Sequence, residues 1–265
     1  MLVDALDAGV AMRGFVGWSR WFIGQPDRAL VPIQEAVTLA RQRLEPHSLA
    51  HALAFAAVFH QLRRERSTAQ QYADEAIALS AEHGLPLYEA MARVVRGWTR
   101  VGQAKDQEGA EEVRQGLAAW QSTGAQLMRP HFLALLAEGC ALTEREDSGL
   151  RLLDEALAVS ESTGERCYQS ELYRLKGERL LTRAREHDSE AAVKCFEQSL
   201  AIARQQGALS LELRATMSLA RLHHGRPRSA VLRDLILPVY ERFDEGLDTL
   251  DLREVRSLLD LRVDG

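Results

Sequence analysis

Three cysteines stand in 265 residues, and none forms a CxxC pair, so neither a disulfide framework nor a zinc site organises this chain. Aromatic residues make up only 6%. That scarcity, beside abundant alanine and leucine, disfavours sheets, because strands draw on aromatic and β-branched side chains. No segment keeps a period-two alternation. No apolar run approaches the ~20 residues of a membrane span. Basic blocks are missing as well: net charge is −5, and of 33 basic residues only Lys105, Lys176 and Lys194 are lysines. Direct nucleic-acid binding, which needs a basic footprint on the phosphates, is therefore not expected. The opening "MLVDALDAGV" carries acids where a signal peptide has basic residues, which points to a cytoplasmic protein without membrane contact. There is no GxxxxGK[ST] phosphate loop and no GxSxG elbow, and no nucleophile, base and orienter are brought together by a motif. The expectation is a protein that is not an enzyme and has no cofactor or metal. His47 and His51 are four apart but lack a third ligand.

What is present is a repeat. Gly84, Gly124, Gly164 and Gly207 each close a helix-like segment, as in "VRQGLAAWQSTG" and "LDEALAVSESTG". A left-handed residue commonly ends a helix, and glycine adopts that conformation without a Cβ penalty. The Ser-Thr before Gly124 and Gly164 is absent before the other two, so the glycine is the repeated element. Small residues recur at a second place, Gly17, Ala57, Gly97, Ala137, Gly177 and Ala220. Twelve residues on come Ala29, Ala69, Gly109 and Gly149, with Ala192 displaced by the insertion "LTRAREHDSEAA". Seven further on come Ala36, Ala76, Gly116, Ala156 and Ser199. Small side chains at matching places let two helix backbones approach closely.

This spacing resembles the tetratricopeptide repeat, a helix–turn–helix unit, with a period of about 40 in place of the 34 usual for that family. The resemblance implies an all-α, right-handed solenoid of about six helix pairs, with units at 7–46, 47–86, 87–129, 130–169, 170–210 and 211–248 and a capping helix in 249–265. In the last unit Leu232 and Val239 replace small residues, so it reads as degenerate. Asp27, Ser67 and Asp147 are placed to cap helix N-termini. Pro26, Pro46, Pro86 and Pro130 mark seams, whereas Pro32 falls inside a helical pattern. The apolar stripe Leu252, Val255, Leu258 and Leu259 suits a cap. No cap covers the first unit, so Phe15, Trp18, Trp21 or Phe22 are expected to be partly exposed, which favours a parent protein, a fusion partner or self-association.

The segments "VVRGWTRVGQ", "EEVRQGLAAWQSTGAQLMRPHFLALLAEGC", "LLDEALAVSESTGERCYQSELYRLKGERLL" and "PVYERFDEGLDTLDLREVRSLL" are similar to the C-terminal repeat arm of large bacterial signalling regulators. There, an adenylate-cyclase or DNA-binding output domain and an ATPase module precede the repeats. The resemblance runs from about Leu87 to Leu259 and implies a non-catalytic sensor or docking arm. Its partner would be a protein or peptide, a small effector, or the ATPase and cyclase domains of a parent protein. The alternative is a stand-alone adaptor that self-associates into a homo-oligomer. In such arrays the first helix of each pair lines the concave face. The candidate groove residues on that helix are Trp18, His51, Met91, Trp98, His131, Glu138, Arg174 and Glu178.

Overall fold

The computed structural model describes residues 6–101, 106–140, 146–222 and 232–260. Among them there is no strand. Helices follow one another in antiparallel-neighbour pairs: α1 (Ala8–Phe22) with α2 (Pro26–Arg43), α3 (Pro46–Leu62) with α4 (Arg66–His83), and α5 (Pro86–Arg100) with α6 (Asp106–Ser122). Then come α7 (Arg129–Cys140) with α8 (Glu146–Thr163), and α9 (Gln169–Arg183) with α10 (Asp188–Gln206). After α11 (Leu209–Arg221), a π-helical stretch, Leu232–Ile236, runs into the short α12 (Leu237–Tyr240), and α13 (Leu250–Asp260) follows. Each pair also packs on the next, as an α-solenoid requires.

The small residues meet where two helices of a pair cross. A Cβ on Gly97 would stand 2.7 Å from the Val113 nitrogen and 2.8 Å from the Gly109 carbonyl, and one on Gly149 would face the Ala137 carbonyl at 3.3 Å. On Gly17 it would meet Ile33 and the Ala29 carbonyl. The first and second small positions of the repeat are thus direct partners. The terminal glycines behave differently. Gly84, Gly124, Gly164 and Gly207 have φ between +65° and +80°, and a Cβ on any of them would touch nothing within 4 Å. Their role is conformational. The Thr123 and Thr163 hydroxyls donate back to the Trp120 and Val159 carbonyls, so Ser-Thr-Gly is a satisfied helix end. In the first unit Leu44 takes the same place at φ +56°, with its side chain 86% exposed.

Prolines 26, 46 and 86 occupy first positions of helices, where the missing N–H costs nothing. Pro32 lies within α2, and the Arg28 carbonyl that it leaves without a backbone donor accepts from Arg20 Nη1 at 3.0 Å. The conflict seen in the sequence is resolved by a neighbouring guanidinium. The capping expectation for Asp27 needs correction. Asp27 lies inside the first turn of α2, and neither α2 nor α4 has a side-chain cap from its own N-cap residue.

The cap of α2 comes instead from the other end of the chain. Glu245 Oε1 accepts from the backbone N–H groups of Asp27 (3.0 Å) and Arg28 (2.9 Å). In return Asp27 Oδ2 accepts from the Gly246 N–H at 2.8 Å. This reciprocal arrangement has the logic of a capping box assembled across 218 residues. Beside it, α11 packs on α1: Ser210 Oγ donates to the Trp21 carbonyl at 2.6 Å, and Leu209 seats against Gly24. The array therefore closes on itself. Trp21, expected to lie partly open, is 2% exposed because α11 covers it. The stripe on α13 does pack inward, where Leu252 and Val255 join Leu213, Met217, Ile236 and Val239 in a small core of their own.

Glu245→Ala should lower unfolding free energy by about 1 kcal/mol, the usual worth of a cap. Gly246→Ala should cost more, about 2–4 kcal/mol from left-handed strain plus overpacking. Its φ is +73° and a Cβ there would overlap Pro26. Urea titration followed by tryptophan fluorescence measures both, and no loss in either variant would show that closure adds nothing to stability.

Candidate functional site

Closure turns the concave side of the solenoid into a cavity of about 280 Å³. Its wall runs from the end of α3 to α13, with Arg64 and Arg66 from the α3–α4 turn and the start of α4, Trp98 from α5 and Glu138 from α7. Tyr168 and Glu171 come from the start of α9, Arg174 from α9, Arg214 and Arg221 from α11, and Asp251 and Glu254 from α13.

Arg214 is the hub. Its guanidinium donates to Asp251 Oδ2 (2.9 Å through Nε), to the Leu62 carbonyl at the end of α3 (2.6 Å), and lies 3.5 Å from Glu171. It also sits 5.0 Å from the Trp21 ring centre. One side chain thus joins α1, α3, α9, α11 and α13. Arg64 adds bonds to Asp251 Oδ1 (2.9 Å) and Glu254 (3.1 Å). Arg64 holds φ at +63°, a left-handed conformation that costs a non-glycine residue about 1–2 kcal/mol. The strain aims its side chain at the closing helix. Deeper in, Arg174 grips Glu171 with two bonds of 2.8 Å. Burial opposes the Glu171 charge, but Arg174 and Arg214 outweigh it and hold the carboxyl down at about 2. Burial likewise works against the Arg214 charge, and Asp251 and Glu171 more than compensate.

The opposite wall is less paired. Trp98 Nε1 donates to Glu138 Oε2 at 3.3 Å, and the Arg66 guanidinium lies 4.2 Å over the indole. Burial, with the nearby Glu171 charge, pushes the Glu138 carboxyl above its usual value. Tyr168 stacks on His131 at 4.2 Å, and His131 Nε2–H donates to Gln61 Oε1 at 2.8 Å. Burial lowers His131 to about 3, so the ring is neutral.

Of the residues expected in the groove, Trp98, Glu138 and Arg174 line the cavity. Glu178 stands just behind, bonded to Ser218 (2.6 Å) and Arg174 (3.4 Å), and His131 backs Tyr168. Trp18, His51 and Met91 are elsewhere. Trp18 stacks on Phe55 at 4.3 Å and donates to its carbonyl, His51 stacks on the same ring at 4.0 Å, and Met91 is 1% exposed in the core. For His51 the helix is the reason: every residue from Ala50 to Leu62 is buried, so this part of α3 has no solvent-facing side, and Trp18 on α1 packs against it. The uncharged run "PHSLAHALAFAAVFHQL" was the signal for that. Gln61, Arg64, Arg66, Tyr168, Asp251 and Glu254 escaped the periodic positions because they lie at helix ends or on the closing helix. Glu171, Arg214 and Arg221 do occupy repeat positions on the first helices and line the cavity as well. Cys140 is buried and Cys195 half-buried, whereas Cys167 is exposed.

Among the described residues no group of three side chains is arranged to hold a metal ion, and no helix is long and apolar enough to cross a membrane. No family model matches the chain. It is 24% identical, over 217 residues, to an uncharacterized protein of Rhizobium meliloti (strain 1021). The alignment covers 82% of this chain and 21% of that protein, so the chain spans about a fifth of the relative's length.

His51 and His131 are buried and held neutral, at about 4 and about 3 against the usual 6.5. Unfolding lets both take up protons, so their contribution is complete above about 6.5 and is lost as pH falls towards the folded values. Between pH 7 and pH 5 the unfolding free energy should drop by about 2 kcal/mol for each histidine. A His51→Gln/His131→Gln variant should start less stable and fall less over that interval. An equal fall in the two proteins, followed by urea denaturation, would contradict the assignment.

Proposed function

We propose that this chain is a tetratricopeptide-like, right-handed repeat module that binds a small polar effector in its closed central cavity. In this reading it is a non-catalytic sensor region of a bacterial signalling regulator. One observation carries the proposal: the two ends of the array meet, and the space they enclose is lined by charged and aromatic side chains rather than by apolar core. A cavity of about 280 Å³ suits a metabolite and is too small for a protein helix or a long peptide. Most of its charged groups are spent on one another, as in a recognition surface of fixed shape. Aligned sequence that makes up about a fifth of a longer bacterial protein is consistent with a module. The wall includes α13, at one end of the array, and the α3–α4 turn whose Arg64 bonds to it, so an occupant that touches both biases how tightly they close. That supplies the differential contact a sensor needs.

A library of polar metabolites, screened by thermal unfolding and native mass spectrometry, tests the proposal. At least one compound should raise the melting temperature of the native protein, and an Arg66→Gln/Tyr168→Phe variant should lose that response. A ligand held at a hundred times its Kd stabilises by about 2.7 kcal/mol, which such a screen resolves. A library without a hit, or hits indifferent to the cavity variant, would contradict it.

A second reading rests on a different surface. Met12, Phe15 and Val16 form an exposed stripe on α1, at 62%, 41% and 38% exposure. We propose self-association through this stripe as the alternative role. Light scattering on native protein and on Met12→Glu/Val16→Glu separates them: a dimer dissolved by the changes supports assembly, and a monomer at high concentration excludes it.

A further inference from the structure

The four carboxylates on the cavity wall are not equivalent. Glu171 is held by Arg174 through two bonds of 2.8 Å, Asp251 by Arg214 and Arg64 at 2.7 and 2.9 Å, and Glu254 by Arg64 at 3.1 Å. Among the described residues Glu138 has no cation within ion-pair distance. Its one hydrogen bond comes from the Trp98 indole at 3.3 Å to Oε2, which leaves Oε1 unpaired. Beside it on the same wall, Tyr168 is 3% exposed, and its hydroxyl has no hydrogen-bond partner among the described residues. This carboxylate oxygen and this phenol open onto the same cavity and are bonded to no described residue, so both are available to a matching ligand.

We propose that Glu138 and Tyr168 form the subsite for a primary ammonium group, and that the effector is a small amine-bearing metabolite. The inference rests on the binding-module reading and names the chemistry of its ligand. An ammonium group has three donors and no acceptor. One donor reaches Glu138 Oε1, and a second reaches the Tyr168 oxygen. An anion is a poorer match here. Glu138 and Glu171 both oppose it, and Arg64, Arg174 and Arg214 are already engaged with carboxylates. Free amines and α-amino acids share the ammonium chemistry. At about 30 Å³ per water molecule, the cavity holds roughly nine waters, the size of such a compound. With the ligand in place Glu138 acquires the partner that its burial now denies it.

Matched sets test this, each an amine, its α-amino acid and its deaminated acid. The tyrosine, leucine and glutamate skeletons serve as probes, titrated calorimetrically into the full chain at millimolar concentration. Saturable binding by at least one amine-bearing member, with none by its deaminated acid, is expected. Preference between free amine and amino acid then identifies the source of the ammonium. Glu138→Gln keeps the shape and the bond from Trp98, and should weaken that binding about tenfold or more while the urea midpoint stays near its native value. Deaminated acids that bind as well as amines, or a Glu138→Gln protein that binds amines as the native chain does, would overturn the inference and leave the effector cavity standing. Absence of binding by every amine-bearing probe would overturn it too. A metabolite screen without any cavity-dependent hit would remove the underlying reading instead.

Discussion

Closure of the array is the constraint on which everything else depends, and Arg214 is its centre. A guanidinium taken out of water is costly unless each of its donors is met. Here Asp251, Glu171 and the Leu62 carbonyl meet them, and these groups come from α13, α9 and α3. None of the three alone would hold the charge. The arginine is therefore satisfied only when the two ends of the solenoid stand together, so the ion pairs specify one superhelical geometry more than they stabilise it. Apolar packing does the stabilising, through the long core that runs from Val10 to Leu211 and the separate cluster under α13.

Closure also explains why the cavity is polar. In an open solenoid, the inner faces of the first helices are solvated and their charges are ordinary surface groups. Bringing the ends together converts those charges into a partly buried set that must pair. Glu171 with Arg174, and Asp251 with Arg64 and Arg214, are the outcome. Glu138 was not paired in this way, and it shares its wall with Trp98 and Tyr168. The two walls therefore differ: one is held by ion pairs, and the other carries a carboxylate without a cation among the described residues.

Much of the architecture could be read in the sequence, because it is periodic. The 40-residue recurrence of Gly17, Ala57, Gly97, Ala137 and Gly177, and of the helix-ending glycines, is a direct imprint of helix crossings and left-handed termini. Closure was not legible. It depends on the small rotation accumulated from one unit to the next, which no single residue encodes. It also depends on pairs such as Asp27 and Glu245, 218 residues apart and outside the repeat pattern. The site divided along the same line. Trp98, Glu138 and Arg174 could be found because they occupy repeat positions on the inner helices. Arg64 and Asp251 could not, because one sits in a strained turn and the other on a helix that follows the last repeat. Trp18, His51 and Met91 obey the same periodicity yet face the core: His51 and Met91 are buried, and Trp18 is half-buried against Phe55 of the enclosed helix α3.

The most direct measurement is residue-resolved amide hydrogen exchange at Asp27 and Arg28 in the native protein. First-turn amides have no intrahelical acceptor and ordinarily exchange quickly. Closure gives these two a carboxylate acceptor from Glu245, so both should be protected far beyond the first-turn amides of α4, where the N-cap residue offers no side-chain acceptor. Exchange at Asp27 and Arg28 as fast as at the start of α4 would show an open array, and the cavity would have no existence in solution.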